Sequence, residues 1–109
     1  MAATHVLCHY RVRPGSDAAF VGLLEKHWPA LRAVGLVTDT PARAWSHRAD
    51  DGRTTYYELF EWLSEAAPRT AHEHPAVMAV WEPMGALCES MEFPHVEPVS
   101  LGVVDPGGA

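Results

Sequence analysis

A run of strong β-formers, TTYYELFEW over Thr54–Trp62, leads within a few residues into a helical stretch broken once, at His74-Pro75. Aromatic and β-branched residues favour a pleated, half-buried surface, so the run reads as a strand. Ser64 with Glu65 opens the helical region that follows. His74, preceding a proline, is pushed out of α geometry, and Pro75 suits a first helical turn. The helix resumes over Ala76 to Leu87, with Pro83 and Gly85 weakening its end.

The rest of the chain supplies matching elements. Residues 4–13, THVLCHYRVR, alternate as a strand, with Val6, Cys8, Tyr10 and Val12 on one face and His5, Leu7, His9 and Arg11 on the other. Pro14-Gly15 turns the chain, and Ser16 with Asp17 supplies an N-cap and a first-turn charge. Phe20, Leu23, Leu24, His27, Leu31 and Val34 then recur at helical spacing; Pro29 is expected to kink or divide this helix, and Gly35 to cap it. Residues 42–48, ARAWSHR, form a short second strand, and Ala49-Asp50-Asp51-Gly52 turns it into the Thr54–Trp62 strand as a hairpin. A fourth strand spans Met91 to Val99, bent by Pro94 and Pro98 and therefore at an edge. Residues 1–99 are read as one domain and 100–109, ending DPGGA, as a tail.

The order β-α-β-β-α-β is the ferredoxin-like pattern, an α+β fold whose four-stranded antiparallel sheet carries helices on one face. The other face needs a cover that one copy does not encode. A homodimer pairing two sheets supplies it.

Composition narrows the function. With 109 residues, 48% of them apolar, the chain has material for one core. A formal charge of -6 and a single lysine, Lys26, exclude a nucleic-acid partner and disfavour an anionic membrane surface. No apolar run approaches a membrane span, and Cys8 and Cys88 form no CxxC pair, so a cytoplasmic domain without disulfides is expected. The chain contains no Asn and no Gln, which excludes any mechanism needing a side-chain amide.

Several residue types remain that suit a flat organic ligand. Trp62 and Trp81 offer large rigid faces with one N–H donor each. His72 and His74 form an H-x-H pair, but i and i+2 diverge by roughly 200° on a helix, so the pair does not ligate one metal unless the segment is extended. Tyr56 and Tyr57 split between the two faces of their strand, as do Glu58 and Glu61, which removes a paired-carboxylate site. Cys8 lies mid-strand and reads as a small hydrophobe, since no cation on its face lowers its pKa. His9 shares a face with Leu7 and Arg11.

The residues VLCHYRVRPGSDAAFVGLL resemble the opening strand, turn and first helix of the antibiotic biosynthesis monooxygenase family. YYELFEWLSEAAPRTAHEHPAV resembles that family's third strand, with its Trp-x-Ser turn and a helix carrying Ala-His, and EFPHVEPV is similar to its last strand. The resemblance covers residues 4 to 99 and implies a dimeric α+β barrel with a pocket between sheet and helices in each subunit. It also implies oxidation of aromatic, polyketide-like molecules without metal or flavin. Haem-degrading relatives place an Asn, a Trp and a ligating His at positions that here match Cys8, Ala71 or His72, and Trp81, so haem is not expected either.

The expected activity is thus cofactor-independent oxygenation of a small aromatic or polyketide-like molecule. His72 is the base and the catalytic residue, Tyr57 orients the substrate and Trp81 stacks on it. Cys8, His74 and His9 complete the substrate-binding candidates. The alternatives are a non-catalytic ligand-binding or accessory barrel, and a non-oxidative isomerase or cyclase of the same fold.

Overall fold

Alternation along Thr4–Val12 sets the layers of the molecule. The computed structural model describes residues 3–102 and orders the elements as β1 (Thr4–Val12), α1 (Asp17–Ala33), β2 (Arg43–Arg48), β3 (Thr54–Trp62), α2 (Ala67–His72), α3 (Pro75–Ala86), β4 (Cys88–Glu92) and β5 (His95–Val96). The strands run β2-β3-β1-β4, all antiparallel, with β5 also paired to β1. This is the expected α+β, ferredoxin-like architecture. Of the tail expected over residues 100–109, residues 103–109 lie outside the described residues.

Val6, Cys8, Tyr10 and Val12 are buried beneath the helices. Register pairs Thr4 with Trp62, Val6 with Phe60 and Cys8 with Glu58, so Trp62, Phe60 and Glu58 rise on that same side. Phe20, His27 and Leu31 of α1, Ala67 and Ala71 of α2, and Val77 and Met84 of α3 close the core from above. Leu7, His9, Tyr57, Leu59 and the half-exposed Trp45 occupy the opposite face, where no helix lies.

The elements begin and end for local reasons. Gly35, at φ 75°, closes α1: its N–H donates to the Arg32 carbonyl at 3.1 Å and the Leu36 N–H donates to the Leu31 carbonyl at 3.1 Å. Only a left-handed residue permits that pair of bonds. Gly52, at φ 85°, serves the β2–β3 turn, where its N–H donates to the Ala49 carbonyl at 2.9 Å. His74 stands in extended backbone at the N-cap of α3, and Pro75 begins that helix, as its missing N–H allows.

Four expectations need correction. α1 runs unbroken through Pro29; the proline removes one backbone bond, while buried Leu31 and the glycine closure hold the last turn. Ser16 occupies the N-cap position without a side-chain cap, and Asp17 instead accepts a hydrogen bond from the Tyr56 hydroxyl at 2.8 Å. α2 starts at Ala67 rather than at Ser64. The final strand is two short ones, because Pro94 has no N–H for a ladder; its carbonyl nevertheless accepts from the Leu7 N–H at 3.0 Å, which holds β5 beside β1.

Candidate active site

The candidate site lies where α2 and α3 stand off the sheet and the β4–β5 corner folds over the gap. Two adjoining lobes share His72, Trp81 and Phe93 in their walls. The inner lobe, about 60 Å³, is walled by His27, Phe60, Trp62, Pro68 and His95 as well. The outer lobe, about 180 Å³, adds Met78, Glu82, Met84, Gly85 and Met91. The break at His74-Pro75 creates the gap, since it ends α2 at His72 and lets α3 leave in its own direction.

Aromatic contacts tile the lining. The Trp81 and Phe93 rings lie nearly parallel, at 20° with centroids 6.4 Å apart. His72 meets Trp81 edge-on at 4.8 Å, and Trp62 meets Phe60 edge-on at 5.0 Å. His72 is exposed at the rim. Trp62 is only 4% exposed, and its indole Nε1–H is buried with no hydrogen-bond partner among the described residues. An orphaned buried donor costs free energy on the order of 1–3 kcal/mol, and the Trp28 indole Nε1–H is orphaned in the same way.

Beneath the inner lobe runs a buried polar chain. His27 and Glu58 are 1% and 2% exposed, and His27 Nδ1 lies 2.8 Å from Glu58 Oε1. The Tyr10 hydroxyl donates to the same carboxylate oxygen at 2.8 Å, and the Trp81 Nε1–H donates to His27 Nε2 at 2.6 Å. Burial, followed by the Glu58 charge, pushes the Tyr10 phenol well above its ordinary range, so it remains a donor. The Cys8 thiol is driven upward by the same two causes, and burial lifts Cys88 to about 11. Both free cysteines are buried, and neither carries the thiolate a nucleophile requires.

Of the residues expected at the site, the structure brings His72 and Trp81 together. Cys8 faces the helices within the core, next to Glu58 in the sheet, and does not line either lobe. Tyr57 and His9 pack edge-on at 5.0 Å on the opposite, helix-free face of the sheet. His74 lies outside the cavity wall, where its Nδ1 accepts from the Ala76 N–H at 3.2 Å. That bond occupies half of the H-x-H pair. Among the described residues no group of three or more His, Cys, Asp or Glu side chains is placed to hold a metal ion.

Sequence reasoning missed His27, Glu58 and Phe93. His27 sat within an apolar stripe at helical spacing, and Glu58 was one of two carboxylates of opposite parity. A polar residue inside each apolar pattern was the available signal. Phe93 precedes Pro94 at the strand break, which strand periodicity does not reveal.

A scan against protein-family models finds no match, and no curated protein matches by sequence. Solved structures do match. One described as an antibiotic biosynthesis monooxygenase superposes with a TM-score of 0.67 at 13% identity, over 89% of this chain and 99% of that one. SnoaB, a cofactor-independent oxygenase from Streptomyces nogalater, gives 0.66 at 16% identity over 91% and 96%. A dimeric ferredoxin-like protein of unknown function from Jannaschia gives 0.68 at 13% identity over 89% and 100%. The chain therefore has the fold of the antibiotic biosynthesis monooxygenase structures; at such identities the likeness carries fold and not chemistry. No described helix is long and apolar enough to cross a membrane.

Proposed function

We propose that the protein is a cofactor-independent oxygenase of compact, planar, phenolic or polyketide-like molecules. The observation that carries this reading is a cavity lined by aromatic rings with an exposed imidazole, His72, at its rim. The fold shared with SnoaB supports it. The larger lobe, about 180 Å³, is below the roughly 300 Å³ at which drug-sized ligand pockets begin, which favours ligands of one or two rings.

In the proposed reaction His72 accepts the proton of a phenolic hydroxyl, leaving an electron-rich anion against the Trp81 face. The Trp62 and Phe60 rings wall the inner lobe and keep water from the anion. The anion gives one electron to O₂, and the resulting substrate radical and superoxide combine into a carbon–oxygen bond. The bond forms at a ring C–H carbon para to the oxygen, and loss of that hydrogen with cleavage of the O–O bond converts this C–H into C=O and releases hydroxide. One oxygen atom stays in the product and the other leaves as water, so the substrate supplies all the electrons. His72 returns its proton to the departing hydroxide. The apolar walls limit water access and side reactions of the peroxide.

Oxygen uptake with a panel of one- and two-ring phenols, 1-naphthol and its substituted analogues among them, tests this. The expected result is one O₂ consumed per carbonyl formed, with a single ¹⁸O atom in the product and no dependence on added metal or flavin. Tight binding without uptake would favour an accessory ligand-binding protein, and rearranged product without uptake a non-oxidative isomerase or cyclase.

The functional unit in this reading is a homodimer. The helix-free face, with Leu7, Leu59, Tyr57 and Trp45, leaves an apolar surface that a second copy of the sheet covers. Tyr57 and His9 would lie in that seam. Sedimentation at micromolar concentration is expected to give twice the chain mass; a monomer there overturns the pairing.

A further inference from the structure

We propose that Glu58 and His27 are positioning residues whose task is to fix Trp81 as an immobile wall of the cavity, so that the site accepts a planar ligand against one preset indole face. The inference takes from the proposed function only that this cavity is the binding site.

The hydrogen-bond directions follow from chemistry. An indole N–H donates and never accepts. The His27 Nε2 that Trp81 reaches at 2.6 Å is therefore an unprotonated acceptor. The imidazole proton then sits on Nδ1, where Glu58 Oε1 receives it at 2.8 Å. The Tyr10 hydroxyl holds that carboxylate oxygen from the other strand, also at 2.8 Å. Carboxylate, imidazole and indole thus form one directed chain from the sheet to the cavity. Both His27 nitrogens are occupied, so in this arrangement His27 orients and does not take the substrate proton.

Packing alone does not require this chain. A leucine at position 27 would fill the same space between α1 and β3, whereas burying a carboxylate and an imidazole carries a desolvation cost that their bonds only offset. Its far end is informative: Trp81 is only partly buried and borders both lobes. Its other ring neighbours, buried Trp62 and exposed Phe93 and His72, only touch the ring. The His27 bond is the one polar anchor recorded for this indole among the described residues. Without it the ring is free to turn about its side-chain bonds, and the partition between the lobes is lost.

Indole N–H resonances in ¹⁵N-labelled protein test the pinning directly, with Trp81 assigned by Trp81→Phe. The Trp81 signal is expected far downfield and slow to exchange. In His27→Leu it should move upfield and exchange at least about tenfold faster, and His27→Gln, whose side-chain oxygen replaces Nε2 as acceptor, should restore much of both. Affinity for 1-naphthol should weaken by about tenfold in His27→Leu, equivalent to roughly 1.4 kcal/mol, and recover in His27→Gln. Should His27→Leu fail to fold, Glu58→Gln serves: a neutral partner should leave the Trp81 signal at an intermediate position. An unmoved Trp81 signal in whichever of these variants folds overturns the pinning. Unchanged naphthol affinity in a variant whose signal has moved, or no naphthol binding to the parent protein, overturns the platform. A lack of oxygen uptake with every phenol would remove the oxygenase reading while leaving these spectra and affinities standing.

Discussion

Glu58→Ala is expected to lower the melting temperature by on the order of 15 °C or more. The carboxylate is 2% exposed and accepts two bonds, from Tyr10 and His27. Alanine strands both donors in a place water does not reach, at about 1–3 kcal/mol each, and leaves a void. A total of about 3–5 kcal/mol is a large part of the roughly 5–15 kcal/mol that holds a domain together. Glu58→Gln keeps an acceptor oxygen and the shape, so it should lose far less. Thermal melts followed by circular dichroism decide the matter; a drop under about 2 °C would mean that solvent substitutes for the carboxylate. Alkaline pH should attack the same network. The folded-state pKa of Tyr10 is raised, so its contribution is complete below the ordinary tyrosine value near about 10 and is lost as pH climbs through the folded one.

That network also marks where sequence reading stops. Period-two alternation placed Val6, Cys8, Tyr10 and Val12 on the buried face, and β-propensity gave Thr54–Trp62 its observed limits. The proline rule located the break at His74-Pro75. Each of these is a local effect of a few neighbouring residues. Glu58 and His27 lie 31 positions apart, and their meeting depends on the Cys8–Glu58 register and on which face of α1 turns inward. Alternation showed that Glu58 and Glu61 face oppositely but not which of them is buried. Tyr57 went to the helix-free face for the same reason: it alternates with Glu58, and Glu58 points toward His27. The cavity is less local still, since Phe93 reaches it from the strand break while Trp81 and His72 come from two separate helices.

The two histidines of the H-x-H pair should separate activity from stability. His72 is exposed at the cavity rim and belongs to α2, against Trp81; His74 is the N-cap of α3 and accepts the Ala76 N–H at 3.2 Å. If His72 is the base, His72→Ala should reduce oxygen uptake by about 100-fold to 10,000-fold, the usual contribution of a positioned proton acceptor. Its melting temperature should barely move, because an exposed side chain with no recorded hydrogen bond gives the fold little. His74→Ala should do the opposite. Losing an N-cap costs about 1 kcal/mol, visible as a melting shift of a few degrees, while turnover per folded molecule stays near that of the parent. Uptake rates normalised to folded protein, measured beside the melts, give both readouts on one sample. Equal losses of turnover from the two substitutions would remove His72 as the base, because only one of these imidazoles borders the cavity. Full activity in His72→Ala would do so as well, and would leave exposed His95 as the remaining imidazole on the inner lobe able to take the proton.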